Sequence, residues 1–132
     1  MIPFRPAFLV AAALALVAGC VVNPAPVVDA GADRTLPLPG QLSKAGNQVK
    51  VQLPGYPDPI LVWRTEIGFG GTSLRCNHCG SQVQYNPEKG WLDCLGKRCR
   101  YKLDGTVLEG PSRKPLRVFL VDLDGDRLRI LG

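Results

Sequence analysis

Histidine occurs once in this chain of 132 residues, at His78. A His-rich metal centre is therefore excluded, and a catalytic triad or dyad could only be built on His78 itself. Aromatic residues are also scarce, at 7% with two tryptophans, although 45% of the residues are hydrophobic. That mismatch implies two regions of different character averaged together. No apolar run reaches the roughly 20 residues of a comfortable transmembrane helix. Beyond Gln48 no stretch sustains a helical period over three turns, which excludes a helical bundle. What is abundant is glycine and proline, fifteen and twelve, the composition of turns and short strands. The length suits one small domain, and the net charge is +5. Five cysteines are an awkward number for a pure disulfide framework, so one of them needs a separate role.

That role is found near the N-terminus. Arg5 precedes the apolar run Ala7–Val17, and the small pair Ala18-Gly19 leads into Cys20: a charged start, a short hydrophobic region and a cleavage point. Leu16-Val17-Ala18-Gly19-Cys20 resembles the lipobox of bacterial lipoproteins. The resemblance implies cleavage before Cys20, acylation of that residue and stable anchoring through several chains. Residues 1–19 are then a lipoprotein signal peptide, and the protein sits in the bacterial cell envelope, lipid-anchored and facing the periplasm. Val21, where an Asp would signal inner-membrane retention, points to the outer membrane.

Residues 20–47 carry the lipidated Cys20, then Pro24, Pro26, Pro37, Pro39, Gly31, Gly40 and Gly46, with no aromatic residue. They read as a flexible linker that holds the domain tens of ångströms from the lipid surface. Residues 48–132 read as an all-β domain. Val49, Val51 and Leu53 alternate with Lys50 and Gln52, and Ile60-Leu61-Val62-Trp63 forms a more buried strand. Val83-Gln84-Tyr85 and Trp91-Leu92-Asp93 flank a turn. Asp104-Gly105 and Asp124-Gly125 mark two hairpins, from Tyr101 to Leu108 and from Leu116 to Leu131. A domain this small is expected to need a metal or disulfide staple.

The staple lies in two segments between strands, Cys76-Asn77-His78-Cys79-Gly80 and Cys94-Leu95-Gly96-Lys97-Arg98-Cys99. Two such loops can converge on one ion or cluster, as in zinc ribbons and rubredoxin-like sites. Cys76, His78 and Gly80 match the Cys-x-His-x-Gly-Cys box of Rieske domains. Cys94 matches the first ligand of their Cys-Pro-Cys-His-Gly-Ser box, and Tyr101, Gly105, Gly110 and Pro111 follow at the family spacing. From Gln48 to Gly132 the chain resembles a Rieske domain. The resemblance implies an antiparallel β fold with a two-loop metal-binding subdomain and a 2Fe-2S cluster whose irons are held by two Cys and two His. The chain departs from that pattern at the pocket. Lys97 stands at the second His, Ser81 and Gly96 stand at the cross-loop disulfide, Cys79 replaces a Leu and Cys99 replaces a Ser.

Three occupants of the pocket stay open. A 2Fe-2S cluster could be held by Cys76, His78, Cys94 and Cys99, or by Cys79 as the fourth ligand. Thiolate in place of neutral imidazole would then lower its reduction potential below that of a Rieske centre. Alternatively, Cys76, Cys79, Cys94 and Cys99 could form a tetrahedral zinc or single-iron site. Thirdly, disulfides such as Cys79–Cys99 could staple the domain without metal in an oxidising compartment.

Lys97, Arg98, Arg100 and Lys102 crowd the second loop. They suit a solvated edge or the docking of an acidic partner or anionic membrane, while export argues against nucleic acid. Trp63 and Trp91 read as packing residues, and Asp122, Asp124 and Asp126 as part of a hairpin rather than a calcium loop. No catalytic constellation and no small-molecule substrate are visible. The expected role is electron transfer with a redox protein partner. The alternative is a structural or interaction module held by zinc or disulfides.

Overall fold

Val49, Val51, Ile60 and Val62 are almost wholly buried, and the strands that carry them are the centre of the molecule. The computed structural model describes residues 21–132; the signal segment 1–19 and the acylation candidate Cys20 lie outside the described residues. Eleven strands follow one another: β1 (Val27–Asp29), β2 (Thr35–Pro37), β3 (Gln48–Gln52), β4 (Ile60–Arg64), β5 (Phe69–Ser73) and β6 (Val83–Asn86), then β7 (Trp91–Cys94), β8 (Arg100–Tyr101), β9 (Val107–Glu109), β10 (Val118–Asp124) and β11 (Arg127–Leu131). A single 3-10 turn, Gly40–Ser43, interrupts them. The described chain is all-β, and no helix in it is long and apolar enough to cross a membrane.

The strands form two sheets. The larger has seven strands in the order β1-β3-β4-β5-β10-β11-β2, and the smaller has four in the order β6-β7-β8-β9. All pairings are antiparallel except β1 with β3. The seven-stranded sheet nearly closes on itself, because its two edge strands are joined by the tight turn after Ala30, where Gly31 N–H reaches Thr35 O at 2.9 Å.

Strand β4 is the shared wall of two cores. Ile60 and Val62 face an aliphatic cluster with Leu36, Val49, Val51, Leu128 and Ile130, and Leu61 and Trp63 face a second cluster with Leu74, Val83, Leu92 and Tyr101. A strand buried on both faces reads as an unbroken apolar run, which is what Ile60-Leu61-Val62-Trp63 is. Each of these side chains contributes roughly 1.5–3 kcal/mol by leaving water. Trp63 stacks on Tyr85 with ring centroids 5.6 Å apart, which ties the large sheet to the small one.

The expected flexible linker over 20–47 is corrected by the structure. From Val21 onward the segment belongs to the domain. Asn23 is 1% exposed; its side-chain amide reaches Gln48 Oε1 at 3.1 Å and Val83 O at 3.0 Å. Lys50 N–H donates to Pro26 O, Ala30 N–H to Gln52 O and Ile130 N–H to Arg34 O, while Leu36 and Leu42 fill the aliphatic core. The segment need not form a core of its own. It adds short strands to a sheet whose edges already offer backbone donors and acceptors, so few apolar residues suffice. Pro37, which has no N–H to donate, sits on an edge strand, where it is tolerated.

Candidate metal centre

Two loops of matching geometry lie side by side at one end of the small sheet. The first links β5 to β6, and Cys76 N–H closes it on Ser81 O at 2.8 Å. The second links β7 to β8, and Cys94 N–H closes it on Cys99 O at 3.0 Å. Each therefore bends back within five residues, and each needs a left-handed residue to do so: Gly80 at φ 72 and Lys97 at φ 63. Lys97 carries a Cβ into that region, at a cost of about 1–2 kcal/mol. Leu95 N–H donates to Gln82 O at 3.0 Å and stitches the loops together.

This stitching brings the sulfurs together. The Sγ atoms of Cys76, Cys79 and Cys94 all lie within 4.8 Å of one another, with Cys79 and Cys94 3.2 Å apart. Cys99 is buried and its thiol interacts with Cys76, but it lies outside this group of three mutually close sulfurs. No disulfide joins the four, so the pairing considered from sequence, Cys79–Cys99, is not formed. Two other residues singled out by sequence stand apart. His78 is exposed and its ring is outside the group of converging ligand atoms; its backbone N–H, however, reaches Cys76 Sγ at 3.4 Å. Lys97 is exposed.

Glycine makes the approach possible. A Cβ on Gly96 would lie 2.9 Å from Cys79 Sγ and 3.1 Å from Ser81 Oγ, so any side chain there would push the loops apart. A third loop, after β9, covers the pocket from the other side. A Cβ on Gly110 would meet Arg98 O at 2.1 Å, and Asn77 Nδ2 donates to Lys114 O and Pro115 O at 3.0 and 2.8 Å.

The electrostatics separate the sulfurs. Burial alone would raise the Cys76 thiol. The Tyr101 hydroxyl at 3.2 Å, the backbone N–H groups of Cys79 and His78 and the Cys94 thiol outweigh it and bring Cys76 down to about 7. Cys94 moves the opposite way, to about 12, through burial and its contact with Cys79. Burial also raises Cys99. Tyr101, itself raised by burial and by Cys76, remains protonated and donates. The pocket thus holds Cys76 below the ordinary thiol range and Cys94 and Cys99 above it.

The residue that sequence reading left without a role here is Tyr101. It was placed only by spacing, and its function as the hydrogen-bond donor to Cys76 depends on β8 pairing with β7. The basic residues Lys97, Arg98 and Arg100, with Glu109, line an open cleft of about 390 Å³ beside the second loop.

No family model matches the chain. Individual proteins do. The chain is 30% identical over 95 residues, 66% of its length, to YhfW of Bacillus subtilis, described as a Rieske 2Fe-2S iron-sulfur protein. It is 27% identical over 77 residues, 58% of its length, to the cytochrome b6-f complex iron-sulfur subunit of a Synechococcus species. It spans 18% and 45% of those relatives respectively, less than half of either. Among solved structures, it is similar to the plasma membrane Rieske protein PetC3 of Synechocystis, with a TM-score of 0.55 and 21% identity over 64% of this chain and 86% of that one. The ferredoxin of carbazole 1,9a-dioxygenase from Nocardioides aromaticivorans gives 0.61 and 20% over 74% and 97%.

Proposed function

We propose that the chain is a Rieske-type, lipid-anchored electron carrier of the bacterial envelope, with an iron–sulfur centre held by Cys76, Cys79, Cys94 and Cys99; its similarity to the Rieske iron-sulfur proteins of Bacillus and Synechococcus supports this reading. The observation that carries the proposal is the convergence of Cys76, Cys79 and Cys94 within 4.8 Å, with Cys99 interacting with Cys76, on two loops at the tip of the small sheet. Four thiols are a donor set that iron–sulfur clusters accept, and His78, exposed and apart from them, is not needed as a ligand.

Such a centre, when bound, supplies one-electron oxidation and reduction. The protein's part is to hold the sulfurs, limit water and tune their charge. Tyr101 and the His78 N–H donate to Cys76 and stabilise its thiolate. Leu74, Val83 and Leu92 exclude solvent from beneath the loops. Lys97 and Arg98 present positive charge at the exposed rim. Cys20 is the acylated residue, and the outer membrane is its destination.

One observation favours a second reading, a single tetrahedral zinc or iron ion on the same four sulfurs. In a tetrahedral thiolate site the sulfurs stand about 3.8 Å apart, and three of them here already lie within 4.8 Å of one another. One preparation decides. The full chain, expressed with its own leader and purified without oxygen, is assayed for metal, acid-labile sulfide and a reducible visible chromophore. Iron with labile sulfide supports the cluster. One iron without sulfide, or zinc, replaces it with the mononuclear site. A metal-free protein overturns both.

A further inference from the structure

The lipid-bearing end of the chain and the cysteine pocket are neighbours. Val21 N–H donates to Ser81 Oγ at 3.3 Å, and Gln82 N–H donates to Val21 O at 2.9 Å. Ser81 and Gln82 close the first cysteine loop. Ser81 Oγ borders Gly96 of the second loop, which in turn touches Cys79 and Cys94. Thus Val21, bonded directly to Cys20, lies against the seam where the two loops meet. Two residues further on, Asn23 is locked in place: its N–H reaches Gln82 Oε1 at 2.8 Å, and its carbonyl accepts from the buried Lys50 Nζ at 2.6 Å. Were Val21 and Val22 to peel away, only three residues, about 10 Å of extended chain, would separate Cys20 from this lock.

We propose that the face formed by Val21, Val22 and the tips of the two cysteine loops rests on the lipid bilayer, so that the pocket sits at the membrane surface rather than on a long leash. The proposal rests on the acylation of Cys20. Acyl chains seated in the bilayer hold Cys20 at the headgroup layer, and the clasp leaves the loops no room to stand far from it. The chemistry of the face agrees. Val21 and Val22 are 46% and 59% exposed, apolar residues at a point where the interface would cover them. Lys97 and Arg98, which directly follow Gly96, are exposed and offer positive charge to anionic headgroups. A redox partner for the pocket must then approach within or along the membrane plane.

The test uses the full lipidated chain in vesicles, beside a variant with a flexible Gly-Ser spacer of about twenty residues between Cys20 and Val21, whose ends lie about 25 Å apart. On the protein as isolated, the readout is the rate at which a bulky, water-soluble reagent reaches the pocket, a chelator where metal is bound and a maleimide where the thiols are free. Mass spectrometry confirms the lipid on each protein. The native chain is expected to react several-fold more slowly than the spacer variant. On vesicles containing phosphatidylglycerol, Lys97→Gln or Arg98→Gln should weaken this protection, by about fivefold per charge at most. Equal rates for two lipidated proteins overturn the proposal while leaving the anchor intact. Absence of the lipid mass overturns the anchor and the proposal with it. Protection that survives the spacer and grows with protein concentration points to a second copy of the chain as the cover, and also overturns it.

Discussion

The two sheets solve the problem of a small core by different means. The seven-stranded sheet is filled by aliphatic side chains, Leu36, Val49, Val51, Ile60, Val62, Leu128 and Ile130 among them, and contains no cysteine. In the core against the four-stranded sheet, Cys76, Cys94 and Cys99 are themselves buried members beside Trp63, Tyr85 and Tyr101, and the sheet's last two strands, β8 and β9, have only two and three residues. One core is purely hydrocarbon and aromatic; the other adds three cysteine sulfurs to such side chains. Under the proposed function, stability of the second would depend partly on its ligand, and that of the first would not.

That contrast can be broken most forcefully at the sulfurs. Cys94→Ala removes a ligand from a site whose metal, if structural, supplies about 10–16 kcal/mol of apparent binding energy. Amide exchange should accelerate in β6 to β9 while β3, β4 and β11 keep their protection. Simultaneous loss in both sheets would show that the contrast is false. The converse is Leu128→Ala, in a side chain with no exposure, which should lower global stability by about 2–5 kcal/mol. Denaturant unfolding measures it. Metal affinity should be unchanged, and an equal fall in affinity would count against separable cores.

A finer cut separates the sulfurs from one another. Cys76 lies at about 7 in the folded protein against 9.0 ordinarily, so its thiolate stabilises the metal-free fold above pH 9 and loses that contribution as pH falls through 7. Cys94 lies at about 12, so its thiol form favours the fold below pH 9 and ceases to as pH rises through 12. Metal-free protein should therefore be most stable near pH 9, the ordinary value from which both thiols depart. Tyr101→Phe removes a hydrogen bond to charged sulfur, of order 1.5–3 kcal/mol. It should flatten the slope between pH 7 and 9 and move the thiolate ultraviolet titration upward; an unmoved titration would assign Cys76 to its backbone donors alone. The smallest effect is expected at Arg100→Ala. Its partners Asp93 and Glu109 are partly exposed and its guanidinium stacks over Trp91 at 4.9 Å. Thermal unfolding should register less than about 1 kcal/mol.

Parts of both sheets were legible from alternation and turns. Strands β3, β4, β6, β7 and β11 fall where Val49-x-Val51, Ile60–Trp63, Val83–Tyr85, Trp91–Asp93 and Arg127–Leu131 place them, because each presents one or two apolar faces to a core. Strand β5 was invisible for a physical reason. Its Gly70 and Gly71 show no alternation because the space their side chains would occupy is already filled: a Cβ on Gly70 would come 2.4 Å from the Trp63 ring. Strands β1 and β2 were hidden by brevity and by proline. At three residues each they are held by backbone pairing, which leaves no hydrophobic signature. In the pocket, the spacing of the cysteines sufficed to bring two loops together. It could not distinguish His78 from Cys79, since which of two adjacent side chains turns inward depends on the bend at Gly80.

The pairing of β2 with β11 has a temporal consequence. Arg129, near the end of the chain, pairs with Thr35 in β2, and Arg34 Nη1 donates to the carbonyl of Gly132 at 2.8 Å. Contacts of such long sequence separation form late and slowly. A chain emerging N-terminus first can pair β1 once β3 has followed it, but must keep β2 waiting, with its edge unsatisfied, until β11 has been delivered. Closing the sheet is thereby a late step of folding.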